Sequence, residues 1–315
     1  MARTTISQVI EDIRRELNSR HRYEVSTLGA SLTAVLTDTT VTLSYELPPS
    51  LIAGANIVVG QETMRVMSID ASAKEVVVIR GFDGSTVAAH SLNDEVQINP
   101  RFTSTDVWEA LQDEVAGLPE SLFRVDQTEV AVYLGQDTIE LPADWVNLYG
   151  LIDARQLITD PVQQIGFDRT SWPRMEGRVV RGVAATWTQG PTTGIYFRPK
   201  KRVSNYIGTT IAGHVYFTAA LPFDLTTFTT SQDMVTDFGM QASMLDMVKM
   251  GVKLRLMPDD ELGRSDRRGQ DENRRASEVP VGASMSGWRI MNAQYMKRRQ
   301  EEANRLRALY PIVMT

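Results

Sequence analysis

Residues 76–96, VVVIRGFDGSTVAAHSLNDEV, bring Ser85, His90 and Asp94 into one short stretch. A hydroxyl, an imidazole and a carboxylate are the ingredients of nucleophilic catalysis, provided the base reaches the hydroxyl and an oxyanion hole faces the reacting carbonyl. GFDGS is not the strand–elbow–helix sequence that builds such a hole. The same residues fit a simpler pattern. Val76–Ile79 is a β-branched run, Gly81 and Gly84 supply positive φ for a tight turn, and the polar residues fall where the chain meets water. Strand, turn and strand is the preferred reading.

The remaining candidates for chemistry are sparse. His21, His90 and His214 stand far apart and in no metal-binding spacing. DDELGRSDRRGQDEN (259–273) lacks the alternating ligands and central glycine of a calcium loop. No GxxxxGK[ST] and no strand–GxGxxG–helix is present. The chain has no cysteine, which removes disulfides, thiolate metal sites and thiol catalysis and suits a reducing cytosol. No catalytic residue, metal or cofactor is expected. One set competes: Trp145, Trp172 and Trp187 with Asp144 and Asp168 imitate a glycan cleft with two carboxylates. Their spacing sets no carboxylate separation, so a glycan-binding or glycan-cleaving domain at 129–228 stays open.

The elements that must carry these residues alternate between helical and β patterns. An amphipathic helix with a Thr5/Gln8 capping box is predicted over 5–17 within an N-terminal segment 1–22. Short strands with recurrent turn signals predict a small β-barrel at 23–101. A helix and linker fill 102–128, and strands with Gly- and Pro-bearing turns predict a β-sandwich at 129–228. The final part, 229–315, reads as helices on either side of a polar loop at 258–284. The predicted fold class is therefore α+β, with a helical core and C-terminal helices carrying two inserted all-β domains.

Two helical stretches invite partners. Met240, Met244, Met247, Met250 and Leu254 form a second apolar row on a helix expected over 231–257. A row of flexible thioethers suits a contact between subunits. In the last helix, Trp288, Met291 and Tyr295 lead and Leu306, Leu309 and Tyr310 follow, around a charged middle that includes Arg298, Arg299 and Arg305. Aromatic anchors at both ends of a charged helix describe a docking arm.

Charge supports a division of labour. The net charge is −6. From Lys253 onward there are 13 Lys+Arg against 9 Asp+Glu, and before it 20 against 30. An acidic body argues against a dedicated nucleic-acid surface, while the basic end suits an acidic neighbour. No apolar run is long enough for a membrane helix, and the first residues do not read as a secretion signal.

Three stretches resemble parts of tailed-bacteriophage structural proteins. IVVGQETMRVMSIDASAKEVVVIRGFDGSTVAAHSLNDEV (57–96) is similar to a small β module with an E-x-M-x-V strand and a V-x-R-G-x-x-G-[ST]-x-A-x-x-H hairpin. DTIELPADWVNLYGL (137–151) resembles a strand entry of neck proteins, and 274–311 resembles the C-terminal helices of head-to-tail adaptors, also called connectors. The resemblance covers about two-fifths of the chain. It implies a virion neck protein assembled in the host cytoplasm as a ring, typically dodecameric, beneath the portal. Double-stranded DNA would pass through that ring without specific binding. The implied partners are other copies, the portal and further neck or tail proteins; no membrane is involved. The docking-arm residues would then meet the portal and the methionine row a neighbouring copy. A tail-fibre or baseplate attachment protein is the main competitor, with a non-viral soluble β protein behind it.

Overall fold

The computed structural model describes residues 4–18, 24–132, 138–157, 174–183, 193–200, 213–226, 228–268 and 283–313. The chain forms two compact units, each assembled from separated segments. The first takes Met1–Val115, Leu225–Phe238 and Leu245–Tyr295; the second takes Ala116–Asp224, Gly239–Met244 and Met296–Thr315.

The first unit opens with α1 (Ile6–Asn18), whose buried stripe is Ile6, Val9, Ile10, Ile13 and Leu17. Its capping box is formed reciprocally, Gln8 N–H to Thr5 Oγ1 at 3.3 Å and Thr5 N–H to Gln8 Oε1 at 3.2 Å. Six short strands follow: β1 (Glu24–Thr27), β2 (Thr40–Thr42), β3 (Asn56–Val59), β4 (Glu62–Asp70), β5 (Glu75–Ile79) and β6 (Glu95–Ile98). They pair antiparallel in the order β1-β6-β3-β4-β5-β2. Beyond β1 and β2, Leu28 bridges Leu43, with Gly29 N–H on Thr42 O at 2.8 Å and Ser44 N–H on Thr27 O at 2.9 Å. The two edges of the sheet thus meet and it curls shut. Alternate residues, among them Ile57, Val59, Met64, Val66, Val76, Val78, Val96 and Ile98, fill its interior. Helix α2 (Ser104–Ala116) comes next. Buried Arg14 of α1 ties the helices to the β3–β4 turn, donating to Gly60 O at 2.9 Å and to Ser104 Oγ at 3.1 Å.

The second unit holds β7 (Arg124–Val132), β8 (Ile139–Glu140), β9 (Gly150–Leu157), β10 (Gly177–Val183), β11 (Thr193–Pro199) and β12 (Gly213–Leu221). These make two three-stranded antiparallel sheets, β10-β11-β8 and β7-β12-β9. Side chains of both sheets share one core around Trp145, where Phe197 and Phe217 meet edge to face at 5.3 Å.

The expected helical core is overturned. The protein is mostly β, a curled six-stranded sheet and two smaller sheets, with four α-helices among the described residues. The physical reason is that the strands alternate cleanly enough to enclose their own apolar clusters. The helices are not a scaffold from which the sheets hang.

Two boundaries also move. The helix expected from 231 begins only at Leu245, as α3 (Leu245–Arg268). Before it, the Asp233 carboxylate accepts from the Val235 and Thr236 amides, and Gly239 takes φ +74°, which holds this stretch in turns. Those turns cap α1 instead: Ile6 N–H meets Gln232 O at 2.9 Å and Thr4 N–H meets Asp233 Oδ2 at 2.9 Å. At its other end α3 runs on through Pro258 to Arg268, so the first part of the expected polar loop is helical; 269–282 lies outside the described residues. The last helix is α4 (Ala283–Leu309).

Candidate functional site

The stretch that suggested catalysis builds a buried ion pair instead. Glu62 and Arg80 lie in phase with the inward residues of β4 and β5, and both side chains are fully buried. The guanidinium grips the carboxylate with two parallel bonds, Nε to Oε1 at 2.6 Å and Nη2 to Oε2 at 2.7 Å. The Gly81 and Ala88 amides donate to the same carboxylate at 3.1 and 3.0 Å, and His90 Nε2 lies 2.9 Å from Oε2. Arg80 also donates to the carbonyls of Thr33, Asp38 and Ala88. Burial alone would raise the Glu62 carboxyl, but the bonds from Arg80, the Ala88 amide, His90 and the Gly81 amide prevail and hold it at about 2.

This geometry separates the supposed triad. The Ser85 hydroxyl donates to Thr63 O and Phe82 O and accepts from the Thr63 amide at 2.9 Å. His90 serves Glu62, and Asp94 accepts from the Ser91 amide. Between them Gly81, Asp83 and Gly84 all take left-handed backbone angles, as the tight connection requires. The residue missed in the sequence is Glu62. Its signal was there: a carboxylate two residues before Met64 and four before Val66 must point inward, and Arg80 follows Val76 and Val78 in the same way.

The proposed docking residues are largely occupied within the chain. Trp288 donates its indole N–H to Leu254 O at 3.3 Å. Tyr295 is buried, and its hydroxyl donates to Glu114 Oε1 at 2.5 Å, while Arg255 Nε holds Glu114 Oε2 at 2.7 Å. One buried carboxylate of α2 therefore joins α3 and α4. Leu306 is buried, and Arg305 bonds Glu302, Gln241 and Ser243. Met291 and Tyr310 are half-buried, and Arg299, also half-buried, reaches Gly117 O at 3.5 Å. Arg298 and Leu309 are exposed. Most residues of the expected docking arm thus have partners within the chain, and Arg298 and Leu309 face outward.

The methionine row is likewise covered largely within the chain. Met240, Met244, Met247 and Leu254 are buried by their own chain, and Met250 is half-buried. The premise that one chain could not cover both faces of this helix fails, because α1 packs along α3 and Lys249 and Lys253 pair with Asp12 and Glu16 beside it.

In the second unit Trp145 is a core residue whose indole donates to Asp126 Oδ2 at 3.1 Å, and Asp144 is exposed, so these two form no glycan cleft. Asp168, Trp172, Trp187 and His21 lie outside the described residues. His214 pairs with Glu129 at 3.1 Å across β12 and β7 on a half-exposed sheet face. An open groove of about 640 Å³ is lined by Glu120, Val146, Tyr149, Arg181 and Pro222, where burial and the Glu120 charge push the Tyr149 phenol up. Among the described residues no cluster of three or more His, Asp or Glu is placed to hold a metal, and no helix is long and apolar enough to cross a membrane. Comparison with family models, with curated proteins and with solved structures gives no match.

Proposed function

We propose that this protein is a virion structural protein, a head-to-tail adaptor that forms a ring below the portal, continues the DNA channel and presents a surface for tail attachment. The observation that carries the reading is the role of the E-x-M-x-V and R-G-x-x-G-[ST]-x-A-x-x-H residues. Glu62, Arg80, Gly81, Ala88 and His90 enter one hydrogen-bonded network, and Ser85 bonds separately to Thr63 and Phe82, with no reactive geometry. A motif explained wholly by the folding of its module supports kinship with a structural module. The acidic balance of the first 252 residues suits a channel wall that does not grip phosphates.

The mostly-β architecture favours a second reading, a tail-fibre or baseplate attachment protein, because such parts are β-rich. Electron microscopy of the purified protein mixed with DNA-filled, portal-bearing capsids distinguishes the two. The adaptor reading expects a ring coaxial with the portal vertex. A slender trimer that leaves the portal bare would replace it with the fibre reading.

A further inference from the structure

One sheet edge of the second unit stands open. Strand β7 pairs with β12 along its whole length and is hydrogen-bonded to no other strand among the described residues. On the far side of β12, Ala220 O accepts the Tyr149 amide at 2.8 Å, so the backbone of Ala220 turns toward β9 and those of Ala219 and Leu221 toward β7. Their partners Asp126 and Arg124 face back, and by alternation Val125, Gln127, Glu129 and Ala131 aim their amides and carbonyls off the sheet. The Gln127 amide is met there by the Asp126 carboxylate at 2.8 Å. Among the described residues nothing bonds the amides of Val125, Glu129 and Ala131, and Gln127, Glu129 and Ala131 are exposed. By contrast, the edges of the six-stranded sheet meet, and β9 is covered by the Met175 amide on Ala154 O at 2.7 Å and the Val313 amide on Leu151 O at 3.2 Å. Neither a proline, a lysine nor a bulge interrupts β7.

We infer that the open edge takes the β7 of a second copy, antiparallel about a two-fold axis at Thr128, the midpoint of the strand. In this register the strand is its own complement. Val125 falls opposite Ala131 and Gln127 opposite Glu129, so the outward amides find carbonyls and an amide side chain faces a carboxylate. Asp126 falls opposite Val130 and Arg124 opposite Val132, so no like charges meet. Centred on Glu129 or Asp126 instead, two copies would set like carboxylates against each other, and other centres shorten the ladder. The pairing joins two β7-β12-β9 sheets into one and closes after two copies. It is separate from the ring proposed above and stands or falls without it.

The chain has no cysteine, so an introduced one reports this contact against no background. In the paired state the two Thr128 Cα atoms lie about 4.5 Å apart, at a position where the strands exchange no hydrogen bonds, which suits a disulfide. Thr128→Cys in the full-length protein should therefore cross-link under diamide to a covalent dimer, whereas Ala131→Cys, which faces Val125 rather than its twin, should not. In sedimentation velocity the wild-type chain should dimerise. Ala131→Pro removes an edge amide that the monomer does not use, and it should stay monomeric with an unchanged far-UV spectrum. Gln127→Glu sets carboxylates face to face on both sides of the axis and should weaken the dimer by about tenfold. Should Ala131→Pro not fold, Thr128→Cys and Gln127→Glu decide. A wild-type chain monomeric at about 100 μM, a Thr128→Cys chain that cross-links no better than Ala131→Cys, or a dimer indifferent to Gln127→Glu would each overturn the inference. Rings that assemble on portals without the Thr128→Cys cross-link sink this pairing and leave the adaptor reading standing, whereas cross-linked dimers that ignore portals do the reverse.

Discussion

Replacing Arg80 with alanine tests the account of the first unit most directly. The substitution leaves the Glu62 carboxylate buried with only two backbone amides and His90, and it strips a donor from the carbonyls of Thr33, Asp38 and Ala88. Removing one partner of a buried, hydrogen-bonded ion pair costs about 3–5 kcal/mol. The depressed carboxyl of Glu62 leads to a similar figure. Its carboxyl is held at about 2 against an ordinary 4.5, so its ionised form stabilises the fold by roughly 3 kcal/mol at neutral pH. That contribution is fully present above about pH 4.5 and is lost as pH falls toward about 2. Hydrogen exchange of the β4 and β5 amides at pH 7 reads the loss within this unit, without assuming that two units unfold together. Arg80→Ala should lower their protection by about 3–5 kcal/mol and flatten its acid dependence below pH 4.5, since Glu62 is no longer held so far below its ordinary value. A loss under about 1 kcal/mol, or an unchanged acid profile, would show that the pair does not hold the barrel as described.

Three further outcomes follow from particular contacts. A Cβ at Gly251 would stand 2.2 Å from Glu114 Oε1, so Gly251→Ala should destabilise by about 1–3 kcal/mol in a thermal melt; combined with Glu114→Ala the two losses should fall short of their sum. Met247→Ala should cost the isolated chain about 2–5 kcal/mol by chemical denaturation, because Met247 is buried by its own chain; no loss would revive a subunit contact there. Ser85→Ala should lower stability by about 1 kcal/mol through the orphaned Thr63 amide, and serine-directed acylating probes should label wild type and variant equally little.

Local rules were legible wherever one segment settles its own conformation. The stripe and capping box of α1, the alternation of β4 and β5 and the glycines of the 81–84 turn depend on neighbours a few residues away. Propensity misled where distant partners competed. Residues 231–244 carry helical spacing, yet Asp233 serves its own turn and the N-terminus of α1. The polar stretch from 258 reads as a loop, and α3 continues through it to Arg268. The buried charges were half-legible. The phase of Glu62 and Arg80 pointed both inward, but nothing in their spacing said that they would share one carboxylate with His90.

Composition and periodicity alone determined that this chain has no thiol chemistry, an acidic body with a basic end, and runs of alternating residues that must become half-buried strands. Only the tertiary structure decided what covers the helices and which polar groups pair. The physical reason is range. Side-chain periodicity is written in residues two to four apart, while the pairings of Glu62 with Arg80 and of Glu114 with Tyr295 join positions 18 and 181 residues apart. A helix face reads the same in sequence whether its own chain covers it, as it does Met247 and Leu306, or leaves it open, as at Ile290 and Met296.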